Sequence, residues 1–343
     1  MNRILIILMA LSAAFCSKNP TSDSETAAVT EKPAYAIVIH GGAGTILPEN
    51  ITGEQEAAYR EALNTALTIG EDILNAGGSS RDAVEQTIIY LEDSPLFNAG
   101  KGAVFTSDGQ NELDASIMDG ATRNAGAVGG LHHVRNPIRA ARAVLEHSRH
   151  VLLTGAGAET FAIEQGLDTV AADYFYTESR WEALERARAK EDQKSGALLH
   201  VDYKYGTVGC VALDKDGNIT AGTSTGGMTN KRYGRFGDVP VIGAGTYADN
   251  ATCGVSCTGH GEYFIRYAVG HDMTALMAYK GMSLEAAGQH IIHEKLKEAG
   301  GAGGLIAIDK NGNITMPFNT PGMYRGYARP GEREVGLFGE MAE

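Results

Sequence analysis

Two stretches of this chain read almost alike. GCVALDKDGNITAG occupies 209–222 and GGLIAIDKNGNITM occupies 303–316. Each is a run of strand-forming residues, an Asp-Lys-Asp/Asn-Gly-Asn turn and a second short apolar run, which is the pattern of a β-hairpin. Between them lie GEYFIRYAVGHDMTALMAYKG (261–281) and SLEAAGQHIIHEKLKEAG (283–300), both helical in their apolar spacing. An internal repeat of one hairpin on either side of a helical stretch predicts an α+β chain of two stacked sheets with helices outside them.

The first half of the chain fits that frame. AYAIVIHGGAG (34–44) reads as a strand ending in a glycine turn. Apolar residues fall mostly on one helical face over 53–76, and a second helix over roughly 80–92 follows the cap signal Ser79, Ser80, Asp82. Three strands are expected in KGAVFT, ELDASIMDG and AGAVGGLHHV, then a helix from Asn136–Pro137 to about His147. HVLLTG reads as a short strand and GAETFAIEQG as a helix, and the charged run 179–199 as a helix that runs out into a loop. The 44 glycines cluster in pairs and triplets, as tight turns and close backbone approaches require. The net charge of −13 argues against a general nucleic-acid binder, which needs a basic face.

The opening residues have a different character. Arg3 precedes an apolar run, Ile4 to Phe15, too short to span a membrane and the right length for a signal segment. Residues 1–16 are therefore expected to direct export, with 17–33 as a disordered tether. Cys16 sits where a lipobox would place a lipidated cysteine and a membrane tether, giving a periplasmic or outer-membrane lipoprotein. Ordinary cleavage after Ser12–Ala13–Ala14 is the alternative. Cys210, Cys253 and Cys257 are an odd set, expected as free buried thiols. Cys253 and Cys257 share a strand face about 13 Å apart and cannot bridge while that strand is extended.

Three chemical decoys fail on spacing. Asp214-Lys-Asp216-Gly-Asn218 opens like a calcium loop but lacks the later ligands, so it reads as a turn. Gly42–Ala43–Gly44 lacks the rest of a dinucleotide fingerprint, and His132–His133 has no matching ligand cluster.

Thr207 is the residue with chemical promise. A threonine at a chain terminus is a self-contained nucleophile: the hydroxyl attacks, and the α-amine, with a pKa of about 7.7–8.0, serves as base. Inside the chain Thr207 lacks that amine until the Gly206–Thr207 bond is cut, and its own hydroxyl could begin that cut by attacking the Gly206 carbonyl. GTVGCVALDKDGNITAGTSTGGMTNKRYGRFGD (206–238), GAGTYADN (243–250) and SCTGHGE (256–262) resemble the plant-type L-asparaginase/isoaspartyl peptidase family of N-terminal nucleophile hydrolases. HGGAG (40–44), FNAGKGAVFT (97–106), ELDASIMDG (112–120) and AGAVGG (125–130) match the same family in the same order.

The resemblance implies a four-layer αββα sandwich, made as a precursor and cut into an α chain, 34–206, and a β chain, 207–343, that together form one domain. It implies Thr207 as nucleophile, Thr225 as the hydroxyl supporting it, Asn98 near both, and Thr258 and Gly259 as an oxyanion hole. Arg235 and Asp238 would clamp the carboxylate and ammonium of a free aspartyl head. Phe236, Gly237, His260 and Gly261 complete the expected substrate contacts. The family uses no cofactor for its chemistry and holds a sodium ion on backbone carbonyls, here those of Leu91, Glu92, Ser94, Phe97, Ala99 and Lys101. The implied substrates are β-aspartyl dipeptides and L-asparagine, and the implied assembly is a pair of αβ units. A glycosylasparaginase-type amidase and an uncleaved aspartyl-binding lipoprotein are the competing readings. The first usually has an acidic residue where Gly206 stands.

Overall fold

The computed structural model describes residues 33–192 and 206–339. It opens with strand β1 (Ala36–Gly44) and helices α1 (Gly53–Asn75) and α2 (Ser80–Asp93). Strands β2 (Leu113–Asp119) and β3 (Ala125–Leu131), helix α3 (Pro137–His147), strand β4 (Leu152–Thr154) and helices α4 (Gly155–Glu164) and α5 (Glu178–Asp192) follow. From residue 206 come β5 (Val208–Leu213), β6 (Ile219–Thr225), β7 (Thr246–Ala248) and β8 (Cys253–Gly259). Helices α6 (Gly261–Tyr267), α7 (Val269–Lys280) and α8 (Leu284–Gln289) come next, α8 continuing as a π-helix over His290–Leu296. Strands β9 (Gly303–Asp309), β10 (Ile314–Thr315), β11 (Gly322–Arg329) and β12 (Glu332–Phe338) close the fold.

The strands form two sheets, ordered β12-β11-β1-β5-β6-β2-β3-β4 and β10-β9-β8-β7. The alternation of strand side chains sorts residues between layers. Ile37 and Ile39 of β1, with Val208, Cys210 and Ala212 of β5, join a core with α1, α2 and α3. Their neighbours Ala36, Val38, Val211 and Leu213 face the other way and meet Ile306 and Ile308 of β9 between the sheets. Cys253, Val255, Cys257, Leu305 and Ala307 meet α7 and α8 on the far side. The result is the expected αββα sandwich. Gly70 lets α1 lie close: a Cβ there would stand 2.2 Å from Ile37 Cδ1 and 2.6 Å from Thr87 Oγ1.

Local signals explain the helix starts. Thr52 and Gln55 form a capping box on α1, and the Ser79 hydroxyl accepts the Asp82 N–H on α2. The two repeated turns are the same structure. Asp214 Oδ1 accepts the Asp216 and Asn218 N–H groups, and Asp309 Oδ1 accepts those of Asn311 and Asn313. The carboxylate that looked like a calcium ligand is thus the anchor of an Asx turn.

Some expectations need correction. KGAVFT is not a strand: Gly100–Gly102 is a 3-10 turn, and only Phe105 makes an isolated bridge, to Asn111. Asparagine side chains supply the hydrogen bonds a neighbouring strand would have made. Asn98 Oδ1 accepts the Val104 N–H, and Asn111 Nδ2 donates to the Ala103 and Val104 carbonyls. Leu91 and Glu92 fall in the last turn of α2, within the helix expected over 80–92. The stretch 261–281 is two helices, broken at Ala268 in the left-handed conformation with φ 48°. The β11–β12 hairpin went unforeseen, although Arg329-Pro-Gly-Glu332 is a turn signal; it covers the free edge of β1. The three cysteines are free and buried, as expected. The readings of residues 1–16, Cys16 and the tether lie outside the described residues, as does the stretch that leads into Gly206.

Candidate active site

Thr207 stands at the foot of β5, at the middle of the larger sheet and almost fully buried. Its Oγ1 lies 2.7 Å from the Gly206 carbonyl oxygen and 3.1 Å from Thr225 Oγ1 at the end of β6. Pairing in the β5–β6 hairpin sets Val208 opposite Ser224, so Thr207 and Thr225 meet by register. The Gly206 carbonyl also receives Asn98 Nδ2 at 2.8 Å and the Thr225 hydroxyl at 3.1 Å. Three hydrogen-bond donors therefore polarise the one carbonyl next to the Thr207 hydroxyl. Glycine at 42 is needed for the approach of β1. Its φ is +113°, and a Cβ there would sit 2.9 Å from Gly206 Cα.

The main chain of Thr207 is fixed from behind by His40. Burial pushes the His40 pKa down to about 3, so the ring is neutral. A carbonyl only accepts, so Nδ1–H donates to Thr207 O at 3.0 Å and Nε2 accepts from Ser256 Oγ at 3.0 Å. Ser256 continues through Thr223 and Thr246 to Ser116, with successive oxygens 2.7, 2.5 and 2.7 Å apart. This buried run of hydroxyls joins both sheets beneath Thr207.

A small pocket opens beside Thr207, lined by Thr225, Arg235, Gly237, Asp238 and Gly259 among others. Asp238 is buried and its Oδ2 takes no hydrogen bond among the described residues. Burial pushes its pKa up to about 7, against the pull of its own N–H and of Arg235. Such a carboxylate calls for a cation. Arg235 is near but bonded elsewhere: its Nε and Nη2 donate to the two carboxylate oxygens of Glu262 at 2.8 and 2.9 Å. Gly261 lies where a Cβ would stand 2.8 Å from Asp238 Oδ1 and 3.1 Å from Arg235 Nη2. The two charges thus flank one glycine and leave Arg235 Nη1 toward the Gly237 side of the pocket.

Thr258 closes β8 with its hydroxyl accepting the Ala43 N–H at 3.3 Å, and Gly259 after it has φ +142°. Gly259 lines the pocket with Thr207. Phe236 instead packs its ring over Gly129, where a Cβ would be 2.6 Å away, and His260 turns to Tyr263 and Glu262. The expected cation site can be tested on the backbone. A Cβ at Gly102 would fall 2.0 Å from Phe97 O, and one at Gly100 would fall 2.4 Å from Glu92 O. The segment folds tightly onto its own carbonyls, and the end of α2 adds helix carbonyls that carry partial negative charge. Phe97 O and Glu92 O, two of the six carbonyls expected to hold sodium, thus lie against this glycine turn, and carbonyl oxygen is the donor type a hard cation takes.

The arrangement has a known counterpart. The family model described as asparaginase matches residues 33–337. The chain belongs to the asparaginase family. The isoaspartyl peptidase of Salmonella typhimurium is 52% identical over 299 residues, 86% of this chain and 96% of its own length. That of Escherichia coli is 51% identical over 311 residues, covering 90% and 97%. The isoaspartyl peptidase/L-asparaginase of Mus musculus is 38% identical over 304 residues, covering 89% and 91%.

For this asparaginase-family chain the sequence reading missed three groups at the site. Glu262 orients Arg235. Asp114, buried with Oδ2 unpartnered, accepts the Gly130 N–H through Oδ1 at 2.9 Å, and burial raises its pKa. Lys231, almost fully buried, donates to Glu112 O at 3.2 Å and adds the nearest positive charge to Asp114. Glu262 and Asp114 both stand inside motifs that carry the family resemblance; what they face depends on strands far apart in the chain.

Proposed function

We propose that this chain is a self-cleaving isoaspartyl peptidase that also hydrolyses L-asparagine. The observation that carries the reading is the Gly206 carbonyl, gripped by Asn98, Thr225 and Thr207 on the edge of a pocket with an unpartnered acid. Thr207 Oγ1 attacks the Gly206 carbonyl carbon, and the acyl group moves from nitrogen to oxygen. Water hydrolyses that ester, leaving a carboxylate on Gly206 and a free α-amine on Thr207.

The freed amine is then the base for turnover. An aspartyl head places its ammonium on Asp238 and its carboxylate on Arg235, which Glu262 holds in position. Thr207 Oγ1 attacks the side-chain carbonyl, and its proton passes through the α-amine to the departing amine. Thr258 and Gly259 stabilise the oxyanion. Water completes the cycle by hydrolysing the aspartyl ester and releasing aspartate. The carbonyls of Leu91, Glu92, Ser94, Phe97, Ala99 and Lys101 would hold a sodium ion that braces the Asn98 segment and supplies no step of the chemistry. Pairing of αβ units and export through residues 1–16 belong to the same reading. Export is supported by the basic start, the short apolar run and a family match that begins only at residue 33.

Purified protein on a denaturing gel, with sequencing of the smaller fragment, tests the first step: the fragment should begin Thr-Val-Gly-Cys. Dipeptides of aspartate in both linkages test the second. The β-linked form should be cleaved and the α-linked form spared, since its α-carboxyl is spent in the peptide bond. Full activity in an undivided chain would defeat the reading.

A further inference from the structure

Gly206 walls two cavities. On one side is the pocket with Arg235 and Asp238, whose free volume of about 10 Å³ holds no more than a water while Gly206 stays in place. On the other is a cleft of about 340 Å³, lined by Gly206, Asn98, Tyr59, Tyr324, Arg180 and Arg186. The peptide bond to be cut is the partition. Once it is cut and Gly206 withdraws, a small charged pocket joins a larger cleft through the space at Thr207.

The cleft carries a cation without an anion. Arg180 Nε donates to Gly102 O at 2.9 Å and Nη2 to Leu96 O at 3.3 Å. No carboxylate pairs with it among the described residues, and burial lowers its pKa, with only Tyr59 and Tyr324 opposing. A withdrawn guanidinium satisfied by carbonyls alone is the setting in which a carboxylate binds well. Its place along the chain gives the reach. Leu96 holds Arg180, and Asn98, two residues on, holds Gly206. Leu96–Asn98 is a turn, so these two positions stand no farther apart than two extended residues would, about 6.5 Å. One amino acid from its nitrogen to its carboxylate, plus a hydrogen bond, covers about the same length.

We propose that this cleft is the leaving-group subsite, taking the amino acid released from a β-aspartyl dipeptide, with Arg180 on its free carboxylate. The proposal rests on the hydrolase reading above and deepens it. The aspartyl head fills the Arg235–Asp238 side, the scissile carbonyl takes the place of the Gly206 carbonyl, and the second residue extends toward Arg180. Tyr59 and Tyr324, stacked at 4.2 Å, flank its side chain. Asparagine, which releases only ammonia, makes no use of the cleft.

The test compares β-aspartyl-leucine, β-aspartyl-leucinamide and asparagine, each dipeptide rate being taken as a ratio to asparagine. Removing the carboxylate should lower kcat/KM at least 10-fold in the unaltered enzyme and less than twofold in Arg180→Gln. Arg180→Lys, which keeps the charge and one carbonyl contact, should recover part of the difference if the glutamine variant fails to fold. Equal rates on acid and amide in the unaltered enzyme would overturn the subsite. Acid–amide indifference combined with slower Gly206–Thr207 cleavage in the Arg180 variants would assign the guanidinium to the freed Gly206 carboxylate instead, and also overturn it. Absence of turnover on all three substrates would remove the hydrolase reading and the subsite together; asparagine turnover without a carboxylate effect removes the subsite alone.

Discussion

Strands β5 and β6 and strands β9 and β10 are joined by turns that differ only at Asp216 and Asn311 and share the same Asx hydrogen bonds, yet only the first pair carries reactive groups. Two residues before the shared glycine the first hairpin has Thr207 and the second has Ala302. The Thr207 carbonyl takes the His40 ring N–H and the Ala302 carbonyl takes the His260 backbone N–H, so each hairpin is pinned where it begins. The difference lies in what each strand neighbours. β5 lies inside the eight-stranded sheet, between β1 with its glycine approach and β6 with Thr225. β9 lies between β8 and the two-residue β10. A good turn fixes a hairpin; chemistry needs a hydroxyl at its start and a partner strand that ends on another.

The strongest way to break the comparison is to make the first hairpin like the second. Thr207→Ala should leave a single uncut chain on a denaturing gel, with ammonia release from asparagine at background. Cleavage in this variant would separate the nucleophile from position 207.

Next come the charges that only the first hairpin faces. Arg235→Ala and Asp238→Asn should still cut at Gly206 but lose about 2–5 kcal/mol of transition-state binding, some 30- to several thousand-fold in kcat/KM. With the Asp238 pKa at about 7, protonation below that pH removes the ammonium partner. Well below pH 7 the kcat/KM profile should therefore fall about 100-fold per pH unit, tenfold from Asp238 and tenfold from the Thr207 amine. Bound ammonium favours the carboxylate, so the Asp238 limb should move to lower pH in kcat. Asp238→Asn should lose this limb, leaving that of the Thr207 amine.

The two turns differ in what the second carboxylate oxygen accepts. Asp214 Oδ2 accepts the Ser80 N–H at the start of α2, whereas Asp309 Oδ2 accepts the Asn313 side chain. In an uncut Thr207→Ala background, urea unfolding should show both alanine variants destabilised by about 1–3 kcal/mol, Asp214→Ala the more. Equal losses would mean the link to α2 contributes nothing.

A further effect concerns Glu92, whose Oε1 accepts the Ser224 hydroxyl near the end of the first hairpin and the Ile138 N–H. Burial raises its pKa to about 8, so the folded chain keeps a proton that the unfolded chain loses near pH 4.5. Stability linked to this group is full below pH 4.5 and is lost as pH rises to about 8. Glu92→Gln should flatten the fall in Tm between pH 5 and pH 9, as thermal unfolding can check.

The legible part of the site lay in local pattern. Thr207 followed from its place after a glycine and before a strand, read with the flanking motifs, and the hairpin repeat carried two sheets with helices outside. KGAVFT misled because its β-like composition says nothing of Asn98 and Asn111, whose side chains take the hydrogen bonds of a neighbouring strand. Glu262 stayed hidden for a similar reason. Between Gly261 and Tyr263 in a helix start, it looks like an ordinary first-turn acid.

By itself the sequence determined what depends on near neighbours: Asx turns, capping boxes, strand alternation and the place of Thr207 between a glycine and a strand. Tertiary structure decided which charges meet. Arg235 pairs with Glu262 across 27 residues, Asn98 reaches Gly206 across 108, and His40 reaches Thr207 across 167. Hydrogen bonds and charge pairs act over a few ångströms, and in a folded chain those ångströms bear no fixed relation to sequence distance. Burial, which raises the Asp238 pKa to about 7 and keeps His40 neutral, is likewise set by layers of chain that no local pattern contains.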